Sequence, residues 1–180
     1  SLDYCMLGTS LGEIAIKNTK GLDVSHAKNS ATAYVSAIAK RGEETKTGSD
    51  FWKAQDWSAF DPERTGREAA RRAVSHLGAI SLASGKYDVV WDCRAMASLL
   101  GVFAGVFFGE SVQRGFSLLA GKVGSQIASE KVTLRDDALL PDGYASIPFD
   151  SEGVSGKNKA VVEGGVLKTF LYNRKSAKKD

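Results

Sequence analysis

Two cysteines, two histidines and three prolines are all that this chain of 180 residues has of those types, and each scarcity excludes something. His26 and His76 lie fifty residues apart, and neither has a ligand-type neighbour three to five positions on. A self-contained histidine-rich zinc site is thereby excluded, and both read as surface or packing histidines. Cys5 and Cys93 belong to no C-x-x-C or other metal-spaced pair, so both are expected as free thiols in a reducing compartment, Cys93 as a buried one. No G-x-S-x-G elbow is present. The Gly-Lys pair inside Gly115–Gly124 lacks the glycine spacing and the Ser or Thr of a phosphate loop and reads as a backbone turn.

Long apolar runs are also scarce. The most apolar one, Ala95 to Phe108, has fourteen uncharged residues with two glycines, whereas a bilayer span needs roughly 20. It reads as a buried core helix. Charge of one sign is nearly balanced, 24 Lys and Arg against 21 Asp and Glu for a net +3, which argues for no nucleic-acid partner by itself. Part of the excess sits in the last few residues, Arg174, Lys175, Lys178 and Lys179, while Arg64, Arg67, Arg71 and Arg72 read as the solvated face of a helix. The opening Ser1 followed directly by a strand-like Leu2–Leu7 carries no secretory signal, so the expected location is cytoplasmic, without a membrane. The start without Met and the polar end suggest a piece of a longer protein.

At 43% hydrophobic and 25% charged, the chain can bury a core of ordinary size. Residues 1–50 alternate in the manner of an antiparallel meander. Gly12–Lys17 reaches a turn at Asn18–Gly21, Leu22–Lys28 follows, and a longer strand over Ala31–Lys40 puts Ala31, Ala33, Val35, Ala37 and Ala39 on one closely packing face. Beyond the aromatic stretch Phe51–Trp57, Thr65 and Glu68 have capping-box spacing, Asp61-Pro62 offers a start one turn earlier, and an apolar stripe runs to Gly78. Further on come a strand at Tyr87–Trp91, the Ala95 helix, a strand at Lys131–Arg135, a loop at Pro141-Asp142-Gly143, and a hairpin of Ala160–Val162 and Val166–Leu171 about Glu163-Gly164-Gly165. The expected class is α+β: a strand-rich first part with one amphipathic helix, then a buried helix on an antiparallel sheet. The expected boundary divides residues 1–80 from 81–180.

Glu110 ends the apolar run, where a carboxylate facing the interior invites a catalytic role. A zinc helix of the H-E-x-x-H kind needs two imidazoles about the glutamate, and here Gly109 precedes it and Arg114 follows four residues later. Asp136-Asp137 and the acids of Phe149–Val154 could suit a divalent cation, but they lack the alternating register of a calcium loop and read as turn caps.

Four blocks carry a resemblance: Ser117–Gly124, Val132–Asp137, Phe149–Val154 and Glu163–Leu171. In this order and spacing they resemble the TldD/PmbA family, once called modulators of DNA gyrase and now understood as a peptidase system. Gly12–Asn18 suits that family's middle region, so residues 1–80 are expected to be it, and 81–180 the incomplete beginning of its C-terminal domain. The resemblance implies that an active TldD-type subunit carries H-E-x-x-x-H on the helix before the Ser117 block. Aligned on Glu110, Gly109 and Arg114 stand at the two zinc-binding histidines, the pattern of the PmbA (TldE) type. Arginine repels a cation and stays protonated. The resemblance thus implies a subunit with no metal or other cofactor of its own. Its partner would be a TldD-type catalytic subunit or a second copy of itself, acting on unfolded peptides, including peptide-antibiotic leaders, and on an antitoxin. The alternatives are a peptidase using Glu110 with ligands from outside this chain, and a gyrase or nucleic-acid-binding module using the four arginines.

Overall fold

The computed structural model describes residues 1–141, 143 and 145–180, and its α+β class matches the expectation. Asp142, in the expected Pro141–Gly143 loop, lies outside the described residues. The chain divides into two compact units, Ser1–Ser84 with Leu140–Pro148, and Gly85–Leu139 with Phe149–Asp180.

The first unit is an antiparallel meander of β1 (Leu2–Lys17), β2 (Asp23–Arg41) and β3 (Glu44–Ala54), with α1 (Pro62–Ser75) against it. The segments expected as separate short strands are continuous. Alternation persists through Gly8 and Gly12, which sit opposite Thr32 and Lys28 in unbroken register. The small-residue face of β2 does pack closely. Ala31, Ala33 and Ala37 are buried, and Ala69 and Ala73 of α1 lie on Ala37 with Val35 and Ala39 alongside. Gly48 on β3, opposite Ala37, lets the α1 backbone approach. Trp52 near the end of β3 clusters with Trp57 and Phe60 beyond it, ring centroids 5.0–5.5 Å apart. Lys28 Nζ donates to Gly143 O and Ser146 O at 3.1 and 3.0 Å, tying these two residues to β2.

Of the two candidate starts for α1, the earlier one is used. Asp61 Oδ1 accepts from Arg64 N at 2.8 Å and Pro62 stands first in the helix, where its missing N–H costs nothing. Thr65, expected as a cap, is instead buried with its hydroxyl donating to Asp61 O. Asp61→Ala is expected to lower stability by about 1 kcal/mol, the usual worth of such a cap, whereas Thr65→Ser should keep the helix start. Urea unfolding of the two variants followed by circular dichroism separates them.

The second unit holds a sheet of β4 (Leu134–Asp137), β5 (Asn158–Glu163) and β6 (Val166–Leu167). Val161, Val162, Leu167 and Phe170 form its core, and Phe107, Val112, Ile127 and Leu134 pack on them. Burying a side chain of this size stabilises by about 1.5–3 kcal/mol. The β5–β6 hairpin turns at the expected glycines, with φ of 55° at Gly164 and 77° at Gly165, the sign pattern of a type I′ turn. Gly165 also lacks room: a Cβ there would lie 2.6 Å from Ser129 O and closer still to Gln126 and Ala128.

Three expectations fail here. Residues 87–91 form no strand, and Val90 is fully exposed. The Ala95–Phe108 run is neither one helix nor buried: α2 (Cys93–Phe103) gives way to a 3₁₀ turn at Ala104–Phe107 and then to extended backbone at Phe108. The helix stops because residues 107–109 pair with Leu171 as a bridge, Leu171 N donating to Phe107 O and Gly109 N to Leu171 O, both at 2.8 Å. No residue of α2 is buried, and Cys93, expected inside, is exposed like Cys5. Leu100, Val102 and Phe103 present apolar surface that hydropathy had suggested for a core. No helix among the described residues is long and apolar enough to cross a membrane.

Candidate functional site

α3 (Gly109–Gln113) begins directly at the Leu171 pairing, so its first residues are set by the strand pairing rather than by a capping side chain. Gly109 is buried beneath the ring of Tyr172, and a Cβ at 109 would meet that ring at Cδ1 and, at 2.5 Å, at Cε1. The next residue, Glu110, is placed on a cleft wall. Its side chain is 45% exposed, correcting the expectation of a carboxylate aimed at the interior. The apolar rod expected to carry it inward ends two residues earlier, at the extended Phe108.

Arg114 caps the far end of α3. One guanidinium nitrogen lies 4.0 Å from Glu110 Oε1, and the guanidinium sits over the Phe116 ring, 4.8 Å from its centroid. The sequence placed Glu110 and Arg114 one helical turn apart, and the structure brings them together. Two open clefts meet at this pair. One, of about 310 Å³, has Phe108, Ser111, Tyr172 and Asn173 on its other sides. The second, of about 300 Å³, is walled by Gln113, Lys175, Ser176 and Lys179. Burial first, and then the neighbouring Asp180 carboxylate, push the Tyr172 phenol above its ordinary range, so it stays a hydrogen-bond donor at neutral pH.

The far wall was missed from sequence. It is built by α4 (Arg174–Ala177), whose start is fixed reciprocally, Asn173 Oδ1 accepting from Ser176 N at 2.8 Å and Ser176 Oγ from Asn173 N at 3.0 Å. Gln113 Nε2 donates to Ser176 O at 2.7 Å and joins α4 to α3. The available signal was the pair Lys175 and Lys179 at i, i+4 behind an Asn-x-x-Ser cap, read only as terminal charge. From the Ser117 block, the buried Ser117 hydroxyl donates to Val106 O at 2.6 Å and accepts from Leu119 N. Gly115, Gly121 and Gly124 turn with positive φ, as the backbone-turn expectation requires.

The remaining candidates do other work. Asp137 accepts from Leu139 N and Asp150 from Glu152 N and Val154 N, the turn-capping role read from the sequence, whereas Asp136 lies within β4 and pairs across the sheet with Lys159 instead of capping a turn. His76 Nδ1 lies 2.8 Å from Thr47 O, and both histidines belong to the first unit. Among the described residues, no three His, Cys, Asp or Glu side chains converge as a metal cluster. Arg67 and Arg71 pair with Glu63 and Glu68 on their own helix, and the Arg71 hydrogen bonds hold the Glu68 carboxyl below its usual range.

The chain is thus an α+β protein whose second unit carries a charged cleft beside a short helix. Residues 4–77 match the PmbA/TldA metallopeptidase central domain and residues 84–180 the C-terminal domain of the same proteins. The chain belongs to the PmbA/TldD family. It is 32% identical over 172 residues, 91% of its length, to a metalloprotease of Methanothermobacter thermautotrophicus, covering 37% of that protein. With metalloprotease PmbA of Escherichia coli O157:H7 it shares 34% identity over 118 residues, 66% of this chain and 26% of that one. Among solved structures, a proposed modulator of a DNA gyrase from Thermotoga maritima superposes with a TM-score of 0.92 at 36% identity, over 99% of this chain and 41% of that one. TldE from Thermococcus kodakarensis gives 0.78 at 27% identity, over 97% and 40%. The chain therefore spans well under half the length of these relatives.

Proposed function

We propose that this chain is the central part of a PmbA/TldE-type subunit that holds no metal itself and completes a TldD/TldE peptidase. Residues 1–80 serve as its middle region and 81–180 open its C-terminal domain. The observation that carries the proposal is Gly109 under Tyr172: where the resemblance puts the first zinc histidine, the ring leaves no space for even a Cβ. Arg114 supports it, since a guanidinium at the second position offers no lone pair and repels a cation. The same ion pair gives Glu110 a structural partner, which favours this role over that of a base acting with outside ligands. Likeness to a TldE structure points the same way, and the exposed Leu100, Val102 and Phe103 of α2 suit a subunit whose apolar surface another protein covers. The work proposed is cleavage of unfolded peptides in the cytoplasm, among them peptide-antibiotic leaders and an antitoxin, with the catalytic metal in the partner.

Metal analysis of the full-length protein, purified with and without a TldD-type partner, tests this. The protein alone is expected to carry far less than one zinc per chain and to cleave no peptide, while the pair cleaves, and Glu110→Gln in this subunit lowers cleavage by the pair by less than about threefold. Stoichiometric zinc in the isolated protein, or cleavage by it alone that Glu110→Gln abolishes, would overturn the proposal.

A further inference from the structure

The two clefts that meet at Arg114 are richer in positive than in negative charge. Arg114, Lys175 and Lys179 line the second cleft with Glu110 as its one carboxylate, and Asp180 stands by Tyr172 at the first. Among the described residues, neither Lys175 nor Lys179 has an ion-pair partner, and both are exposed. Arg114 is held but not used up. Phe116 supports one face of its guanidinium, and a single long contact of 4.0 Å to Glu110 leaves most of its N–H donors open. A planar fork stacked on an aromatic ring, with two exposed ammonium groups lining the same cleft, is chemistry that recognises a carboxylate.

We infer that this double cleft binds a carboxylate of an extended peptide, with Arg114 as the bidentate anchor and Lys175 and Lys179 as its counter-wall. The inference rests on the proposed role in handling peptides and names what that role would grip. Two sources share this chemistry, the terminal carboxylate of a peptide and an Asp or Glu side chain. Glu110 has a part in either case: by occupying one edge of Arg114 it turns the free edge toward the clefts, and it repels an anion that approaches from its own side.

The test uses the full-length protein and three fluorescein-labelled unstructured peptides of one sequence. One has a free terminal carboxylate and no acidic residue, one is its terminal amide, and one is that amide with a single internal Asp. Fluorescence anisotropy is expected to show the free acid, the Asp-containing amide, or both binding about ten- to a hundredfold more tightly than the neutral amide, with the stronger of the two identifying the source. Arg114→Gln should erase the preference, Arg114→Lys should restore part of it, and Lys175→Gln with Lys179→Gln should flatten its salt dependence. Arg114 is 61% exposed, and circular dichroism should show unchanged folding in each variant. Equal binding of all three peptides, or a preference that survives Arg114→Gln, would overturn the inference. Zinc measured in the same preparation separates the two proposals: stoichiometric metal removes the metal-free role, while the acid-to-amide ratio still decides the carboxylate site.

Discussion

Gly48→Ala is expected to detach α1 from its sheet and lower the stability of the first unit by about 3 kcal/mol or more, although the change adds a single methyl group. A Cβ at this position would lie 2.5 Å from the Arg72 carbonyl carbon, 2.7 Å from Ala73 Cα and closer still to Ala73 N. All three are backbone atoms of α1, so no side-chain rotation relieves the clash, and the helix would have to lift as a body. Lifting it uncovers Ala69 and Ala73, fully buried against Ala37, and loosens the contact between His76 and Thr47 O. Thermal unfolding should show a midpoint more than about 10 °C lower for a unit of this size. Gly66→Ala on the same helix, where the added methyl meets open space, should leave the midpoint unchanged or slightly raised. A Gly48→Ala protein as stable as its parent would show that the helix does not rest on β3 at this distance.

The close approach at Gly48 has a partial trace in the sequence. The alternating alanines of Ala31–Ala39 announce a face on which something packs closely, and a helix with alanines at 69, 70 and 73 is the natural partner. The Gly164-Gly165 turn and the Asp61-Pro62 start are equally local, because turn and cap chemistry act over a few residues. What stayed hidden depends on partners far along the chain. Ala95–Phe108 has the composition of a core helix, but composition states only that a segment prefers burial. It does not say whether the covering surface lies in the same chain, and in this structure Val102 is 79% exposed. Tyr172 over Gly109 joins residues more than sixty positions apart through the Leu171 bridge. Lys175 and Lys179 reach the cleft only because Gln113 and the Asn173–Ser176 cap place α4 there. The substitution at Gly109 could be read by aligning the chain on Glu110, but the ring that fills the vacated space could not.

That ring makes the introduction of both zinc histidines a stringent test of the proposed metal-free role. Gly109→His combined with Arg114→His supplies both imidazoles that the resemblance assigns to the metal, yet the double variant is expected to bind no stoichiometric zinc and to lose about 2 kcal/mol of stability or more. Any Cβ at 109 overlaps Tyr172 Cδ1 and Cε1, and neither side can retreat easily. Residue 109 is tied by its N–H to Leu171 O, and Tyr172 follows directly on the Leu171 that donates to Phe107 O. Relief must come from rotating the phenol away from Asp180 or from breaking the bridge that starts α3. Adding Tyr172→Ala removes the ring, and the triple variant is expected to regain part of the lost stability and to bind zinc more tightly than the double variant. The order of zinc content, triple above double and double no greater than parent, is the signature of a site closed by packing. Arg114→His alone, on the exposed side of α3, should change stability little. A double variant that holds one zinc per chain at the parent's thermal midpoint would mean that Tyr172 yields freely, and that the shape of the site is no ground for the proposed metal-free role.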